Sequence, residues 1–230
     1  MHMQTLCAKE IPPLLKEAVP NLNTLYFVGN KDLLKTVCIT FVGTRDITKY
    51  GEFVIKELLN KELANCNIAI VSGLARGVDA YVHKTCLEMG IKTIAIVPGS
   101  ITSAIPKSNR EIFQEIKKEG LILAEYPEGT TLRKEMFVLR NRLLAGISPL
   151  TIVIQAGEKS GSLITANMAI NYNRELCVVP GDINREVSKG CNFLAKQGAG
   201  IITSFVDLKN LLGIINDQLT IKCEHLVQGK

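Results

Sequence analysis

From residue 37 onward the chain alternates short apolar runs with stretches whose apolar residues recur at helical spacing. Val37-Cys38-Ile39-Thr40-Phe41-Val42 is rich in β-branched residues, stops at Gly43, and gives way to a helical pattern over 50–63. The theme repeats with a run at 67–71 before a helix over 78–88, a run at 93–97 before a helix over 110–118, and a run at 121–124 before a helix over 136–144. Runs at 150–154, 176–179 and 201–202 are followed by helical patterns over 163–172, 192–196 and 205–212. Glycine and proline punctuate the joins, at Gly90, Pro98-Gly99, Gly120 and Pro180-Gly181. Short strands alternating with helices of about ten residues predict an α/β fold with a mostly parallel sheet. Residues 1–36 lack this rhythm: Pro12-Pro13 and Pro20 interrupt them, leaving a short helix at 14–18 and an extended piece at 25–27. The expected organisation is a short N-terminal extension (1–36), one α/β domain (37–213) and a C-terminal tail (214–230).

Composition narrows the core and removes several function classes. Of 230 residues, 47% are hydrophobic and 21% charged, which excludes a disordered or collagen-like chain. Aromatics are only 5% and Trp is absent, so the core is aliphatic, as a buried parallel sheet requires. Neither a long uninterrupted apolar run nor the charged-then-apolar order of a signal peptide occurs, and the expectation is a soluble cytoplasmic protein without a membrane partner. Seven cysteines are scattered without any C-x-x-C pair, which argues for reduced structural thiols and against a metal site. Histidine occurs only at 2, 83 and 225, and no Ser-His-Asp set or carboxylate pair assembles. No catalytic residue, metal or cofactor is therefore assigned, and the chain reads as a non-enzyme. The net charge of +5 permits an anionic partner without establishing one.

Right-handed crossovers place every strand-to-helix loop on one edge of such a sheet, where ligands of open α/β folds bind. Gly43-Thr44-Arg45 puts a guanidinium at the end of the first strand of the domain. Ser72-Gly73-Leu74-Ala75-Arg76-Gly77 follows a strand and opens a helix, the setting of a phosphate cradle or of a plain Gly-rich reversal. Lys159-Ser160-Gly161-Ser162 also precedes a helix, where its hydroxyls serve either a ligand or an N-cap. A basic cluster, Arg133, Lys134, Arg140 and Arg142, has Phe137 within it. Cations with an interposed aromatic suit single-stranded nucleic acid; the competing reading turns Phe137 into the core and uses Arg140-Asn141-Arg142 for structural hydrogen bonds. Three such turns on one edge point to a groove for a polyanion or a nucleotide.

Taken in order, Gly43-Thr44-Arg45, Ser72 to Asp79, Glu125 to Thr130, Arg140-Asn141-Arg142 with Ala145 to Ser148, Ser160 to Ala166, Val179-Pro180-Gly181 and Ser188-x-Gly190-x-Asn192 resemble the DNA processing protein A family (DprA, also called Smf) over about residues 25–207. The resemblance implies an extended Rossmann-like, mostly parallel sheet with helices on both faces, binding single-stranded DNA as a homodimer. It also implies protection of incoming strands and loading of RecA recombinase during natural transformation. Carried over to this sequence, Arg45 and Lys134 would hold the strand and Phe137 would support a base. Ser72, Gly73, Arg76 and Gly77, together with Ser160, Gly161 and Ser162, would line the same pocket.

Several positions depart from the family pattern. Val138 replaces a frequent proline, Ile105-Pro106 stands where Tyr-Pro is usual, and the Gly-Leu-Asp of that loop is missing. The stretches outside the resemblance are also too short for the N-terminal helical domain and C-terminal winged helix of many members. Two other function classes stay in view. One is a nucleoside-monophosphate-cleaving enzyme of the lysine-decarboxylase-like group, whose P-G-G-x-G-T motif Pro127-Glu128-Gly129-Thr130 matches only without its paired glycines. The other is a module that binds a small nucleotide in the groove. The dimer contact is expected around 201–212, where Phe205, Leu208, Leu211 and Leu212 fall at helical spacing.

Overall fold

The structure is a computed structural model and describes residues 3–103 and 105–215. In chain order it holds β1 (Gln4–Cys7), α1 (Pro13–Ala18), β2 (Thr24–Gly29), β3 (Val37–Val42), α2 (Lys49–Leu58), β4 (Ile68–Ser72), α3 (Val78–Met89), β5 (Thr93–Val97), α4 (Arg110–Glu119) and β6 (Leu121–Ala124). Then come α5 (Lys134–Ile147), β7 (Leu150–Val153), α6 (Gly161–Asn171), β8 (Glu175–Val178), α7 (Glu186–Lys196), β9 (Gly200–Ile201) and a last helix, α8, over 205–215. The nine strands form one sheet in the order β1-β2-β6-β5-β4-β3-β7-β8-β9. β3 to β9 are parallel, with Val37 opposite Ile68 and Ile39 opposite Leu150, while β1 and β2 join antiparallel. The strand order reverses between β3 and β7, and a crevice opens there at the carboxyl ends.

Two faces are covered because alternate strand residues point opposite ways. Cys38, Val71, Ile96 and Val153 pack under α1, α5, α6 and α7, with Leu15, Leu144, Ala166 and Leu194 facing them. Ile39, Phe41, Ile70 and Ile152 pack under α2, α3 and α8, and Ala95 and Val97 continue that layer under α4. Runs such as Ile68–Ser72 and Thr93–Val97 are buried at every position, as strands covered on both sides must be. Among the described cysteines, Cys38, Cys86, Cys177 and Cys191 are buried free thiols, and burial pushes Cys38 and Cys191 up to about 12. Cys223, His2 and His225 lie outside the described residues, as does the tail over 216–230. No described helix is long and apolar enough to cross a membrane.

Where the structure departs from the pattern, the cause is local. The first 36 residues are far from irregular: β1, α1 and β2 bury Leu6, Leu15, Leu25 and Phe27, and the sheet runs across the expected boundary at 36. β1 escaped the pattern because it is an antiparallel edge strand of mixed exposure, and β2, expected only as an extended piece at 25–27, lacks the long β-branched run of a buried parallel strand. The helix expected over 50–63 stops at Leu58, where Leu59 and Asn60 break into a separate short turn at Lys61–Asn65. α7 starts at Glu186, ahead of the expected 192, because its first turn holds a single apolar residue, Val187, too little for a helical repeat to show.

Candidate functional site

At the switch point β3 ends in Val42 and the chain turns through Gly43-Thr44-Arg45. The turn is fixed from two sides. The Thr44 N–H donates to Gln155 O at the end of β7 (2.7 Å), and Thr44 O accepts from the Val78 N–H at the start of α3 (3.0 Å). Gly77 permits this closeness. It has φ +77°, and a Cβ there would stand 2.3 Å from Thr44 O and 2.5 Å from the Arg45 carbonyl carbon. Held in this way, the exposed Arg45 projects from a rigid base, and its guanidinium carbon lies 5.9 Å from the centre of the Phe137 ring.

α5 supplies the facing wall. Phe137 is half-buried on its first turns, and one turn later Arg140 and Asn141 are buried. Arg140 Nη1 donates to Gly73 O (2.7 Å) and Ile96 O (2.6 Å), tying the ends of β4 and β5 to α5. Gly73 must be glycine for that guanidinium to pass, since a Cβ would sit 2.1 Å from Nη1. Arg140 Nε has no partner. Beside it the buried Asp79 accepts from the Ala75 N–H (3.3 Å); burial pushes its carboxyl above the usual range, and the Arg140 charge offsets part of this. At the start of α6 Ser160 caps the helix and shares a 2.7 Å hydrogen bond with Ser162, while Asn141 reaches Gly161 O (3.4 Å).

These elements border an open cavity of about 590 Å³, in which apolar residues such as Val42, Leu144 and Ile164 stand among a larger number of polar and charged ones. Of the residues singled out in the sequence, Gly43, Thr44, Arg45, Phe137, Arg140, Ser160, Gly161 and Ser162 line it. Ser72, Gly73, Arg76, Gly77 and Lys134 do not. The Ser72–Gly77 loop is a brace: Ser72 Oγ donates to Phe41 O (2.7 Å), and the Asn109 amide donates to Leu74 O and Ala75 O. With the Ala75 N–H already given to Asp79, it has the makings of a support for the first turn more than of a phosphate cradle. Arg76 and Lys134 are exposed, the latter at the first position of α5, one turn before Phe137.

The basic cluster also divides. Successive helical residues turn through about 100°, so Arg140 points into the fold while Arg142 pairs with Glu125 away from the cavity. Lys159, Asp79, Gly157 and Glu186 line the cavity too. None of these four was singled out from the sequence as a site residue; Lys159 lay inside a noted loop, whereas an acid in the first turn of α3 reads as ordinary helix chemistry. Among the described residues no cluster of three metal-ligating side chains occurs.

The family model described as DNA recombination-mediator protein A matches residues 2–213. Protein Smf of Synechocystis is 36% identical over 210 residues, which cover 90% of this chain and 52% of that protein. DNA processing protein DprA of Streptococcus pneumoniae is 37% identical over 184 residues (80% and 64%), and that of Bacillus subtilis 36% over 216 residues (94% and 72%). The chain thus spans about half to two thirds of the first two relatives. Among solved structures, DNA processing protein A from Streptococcus pneumoniae aligns with TM-score 0.85 at 33% identity, over 91% of this chain and 74% of that one. The protein of that name from Helicobacter pylori, described for its single-stranded DNA binding mode, aligns with TM-score 0.83 at 34% identity, over 92% and 96%. The molybdenum cofactor binding protein of Rippkaea orientalis (TM-score 0.53, 16% identity, 78% and 96% covered) shares the fold alone.

Proposed function

The chain belongs to the family of DNA recombination-mediator protein A, and from that membership we propose that it binds single-stranded DNA at the switch-point cavity. The observation that carries the reading is Arg45 set over Phe137 at 5.9 Å at the edge of a 590 Å³ cavity. A guanidinium attracts the phosphates, and as it swings toward them it uncovers an aromatic face on which an unstacked base can rest. Lys134, exposed one turn before Phe137, anchors a neighbouring phosphate from outside the cavity. Ser160, Gly161 and Ser162 offer hydroxyls and the positive end of α6 to the same strand. Arg140 acts here as a brace and leaves the contact to Arg45.

Binding needs neither metal nor nucleotide hydrolysis, and the protein acts as an accessory factor and not as an enzyme. The strand it holds is shielded and passed to RecA recombinase in recombination and transformation, with two copies of the chain acting as a homodimer. The deciding experiment is a gel-shift titration with single- and double-stranded oligonucleotides of one length, with and without chelator. Retention of the single strand at far lower protein concentration is expected. Equal retention of both, binding lost to chelator, or base release from AMP would each count against the proposal.

A further inference from the structure

A second hollow of about 390 Å³ adjoins the first on the carboxyl edge, between the start of α2 and the loop that joins β8 to α7. Val187, at the start of α7, lines both hollows, which makes them neighbours along this edge. Tyr50 lies on the second hollow's rim. Its hydroxyl donates to Pro180 O at 2.7 Å, which ties α2 to the β8–α7 loop, yet the residue remains 45% exposed. An aromatic ring that is fixed in place but left open to solvent loses little freedom when something stacks on it. Lys49 and Arg185 line the same hollow, each in a solvent-exposed ion pair, Lys49 with Glu52 (2.8 Å) and Arg185 with Asp182 (3.7 Å). Exposed pairs of this kind are weak, so both cations can turn to a phosphate at small cost.

We propose that the second hollow is a further subsite for single-stranded DNA, in which the strand leaves the main cavity over Val187 and stacks its next base on Tyr50. The inference rests on the strand-binding reading above and adds the strand's course beyond the first base. Adjacency of the two hollows selects the occupant. Whatever fills the first and runs on along this edge enters the second, and an aromatic flanked by two cations fits a base flanked by phosphates. Four carboxylates border the path, Asp46, Asp79 and Glu186 in the first hollow and Asp182 in the second; Asp79 lies beside Arg140, Lys189 pairs with Glu186, and Arg185 pairs with Asp182 only at 3.7 Å.

The test measures affinity of the full chain for oligothymidylates of about 4 to 16 nucleotides. For the parent, affinity rises with length. Tyr50→Ala is expected to weaken the longer strands roughly 5- to 150-fold, the range of one lost base stack, while leaving the shortest unchanged. Tyr50→Phe keeps the ring and retains most of the affinity. Should Tyr50→Ala fail to fold, the double variant Lys49→Glu, Arg185→Glu alters only surface groups and is expected to give the same length-dependent loss. A Tyr50→Ala protein that binds every length like the parent, while Arg45→Ala loses all of them, overturns the second subsite and leaves the main cavity intact. Equal weakening at every length also overturns it. Undiminished binding by Arg45→Ala means that the underlying reading has failed.

Discussion

Two guanidinium groups face one cavity, and their surroundings divide their roles. Arg45 is exposed and rests on a pinned turn, so its removal should leave the fold alone. Losing a charged hydrogen-bond donor costs about 1.5–3 kcal/mol, so Arg45→Ala is expected to weaken single-strand binding roughly 10- to 150-fold at unchanged Tm, with Lys134→Ala milder. Arg140→Ala should do the reverse. It strands Gly73 O, Ile96 O and the buried Asp79, and about 3–5 kcal/mol of stability is expected to vanish in urea titrations. His83 gives a separate residue-scale signature. Burial and, in smaller measure, the Arg140 charge depress its pKa from 6.5 to about 3, and its Nδ1 shares a 2.7 Å hydrogen bond with Thr93 Oγ1. The unfolded chain takes up this proton as pH falls below 6.5, whereas the folded chain refuses it until near 3, so stability present above 6.5 is lost through that window. About 2 kcal/mol should be gone by pH 5, and His83→Gln should flatten the slope whatever it does to Tm at neutral pH. A pH-independent Tm between 7 and 5 for the parent would contradict this.

At the scale of elements the site depends on contacts between loops far apart in sequence. Gly77 abuts the first turn so closely that Gly77→Ala is expected to cost about 1–3 kcal/mol in backbone strain. It should weaken strand binding as well, because Thr44 and Arg45 must retreat from the new methyl group; a variant destabilised but binding normally would argue that the turn's position is unimportant. This dependence explains what was legible beforehand. β3 to β8 and their helices were readable because buried parallel strands are continuous apolar runs, as in Ile68–Ser72 and Leu121–Ala124; β9, two exposed residues, showed only through Ile201-Ile202. The loops that meet at the switch point followed from topology. Which side chains enter the cavity did not, since Arg140 and Arg142 differ only by their angle around α5 and Ser72 by a hydrogen bond to Phe41. β1 remained hidden because only Leu6 is buried in it.

At the scale of the whole molecule, binding through a few phosphates makes affinity a function of salt. With about four phosphates neutralised, log K against log salt should have a slope near −3, and affinity should fall roughly 50-fold between 50 and 200 mM. Arg45→Ala should flatten the slope by up to about 0.7. The proposed dimer calls for a surface, and burial in the chain's own core narrows which of the described residues are open to form one. Leu208 and Leu212 are spent on the chain's own core and Phe205 and Leu211 are partly packed there, whereas Ile201 on the open sheet edge and Val206 on α8 are exposed (55% and 61%). Light scattering is expected to report twice the 25.2 kDa chain mass, falling to one for Ile201→Glu with Val206→Glu. A single-chain mass for the parent would remove the dimer.

The cavity draws its walls from Val42 through to Val187, with β3 at the sheet's centre paired on one side to β4 and on the other to the much later β7. No fragment ending before α7 can possess it. A ribosome making this chain therefore carries, until α7 has been added, a nascent product without the complete pocket: Arg45 is made long before, but its partners are still being polymerised. The proposed capacity to hold a strand thus arrives in one step, with α7, and the nearby messenger, itself single-stranded, meets no complete pocket before it.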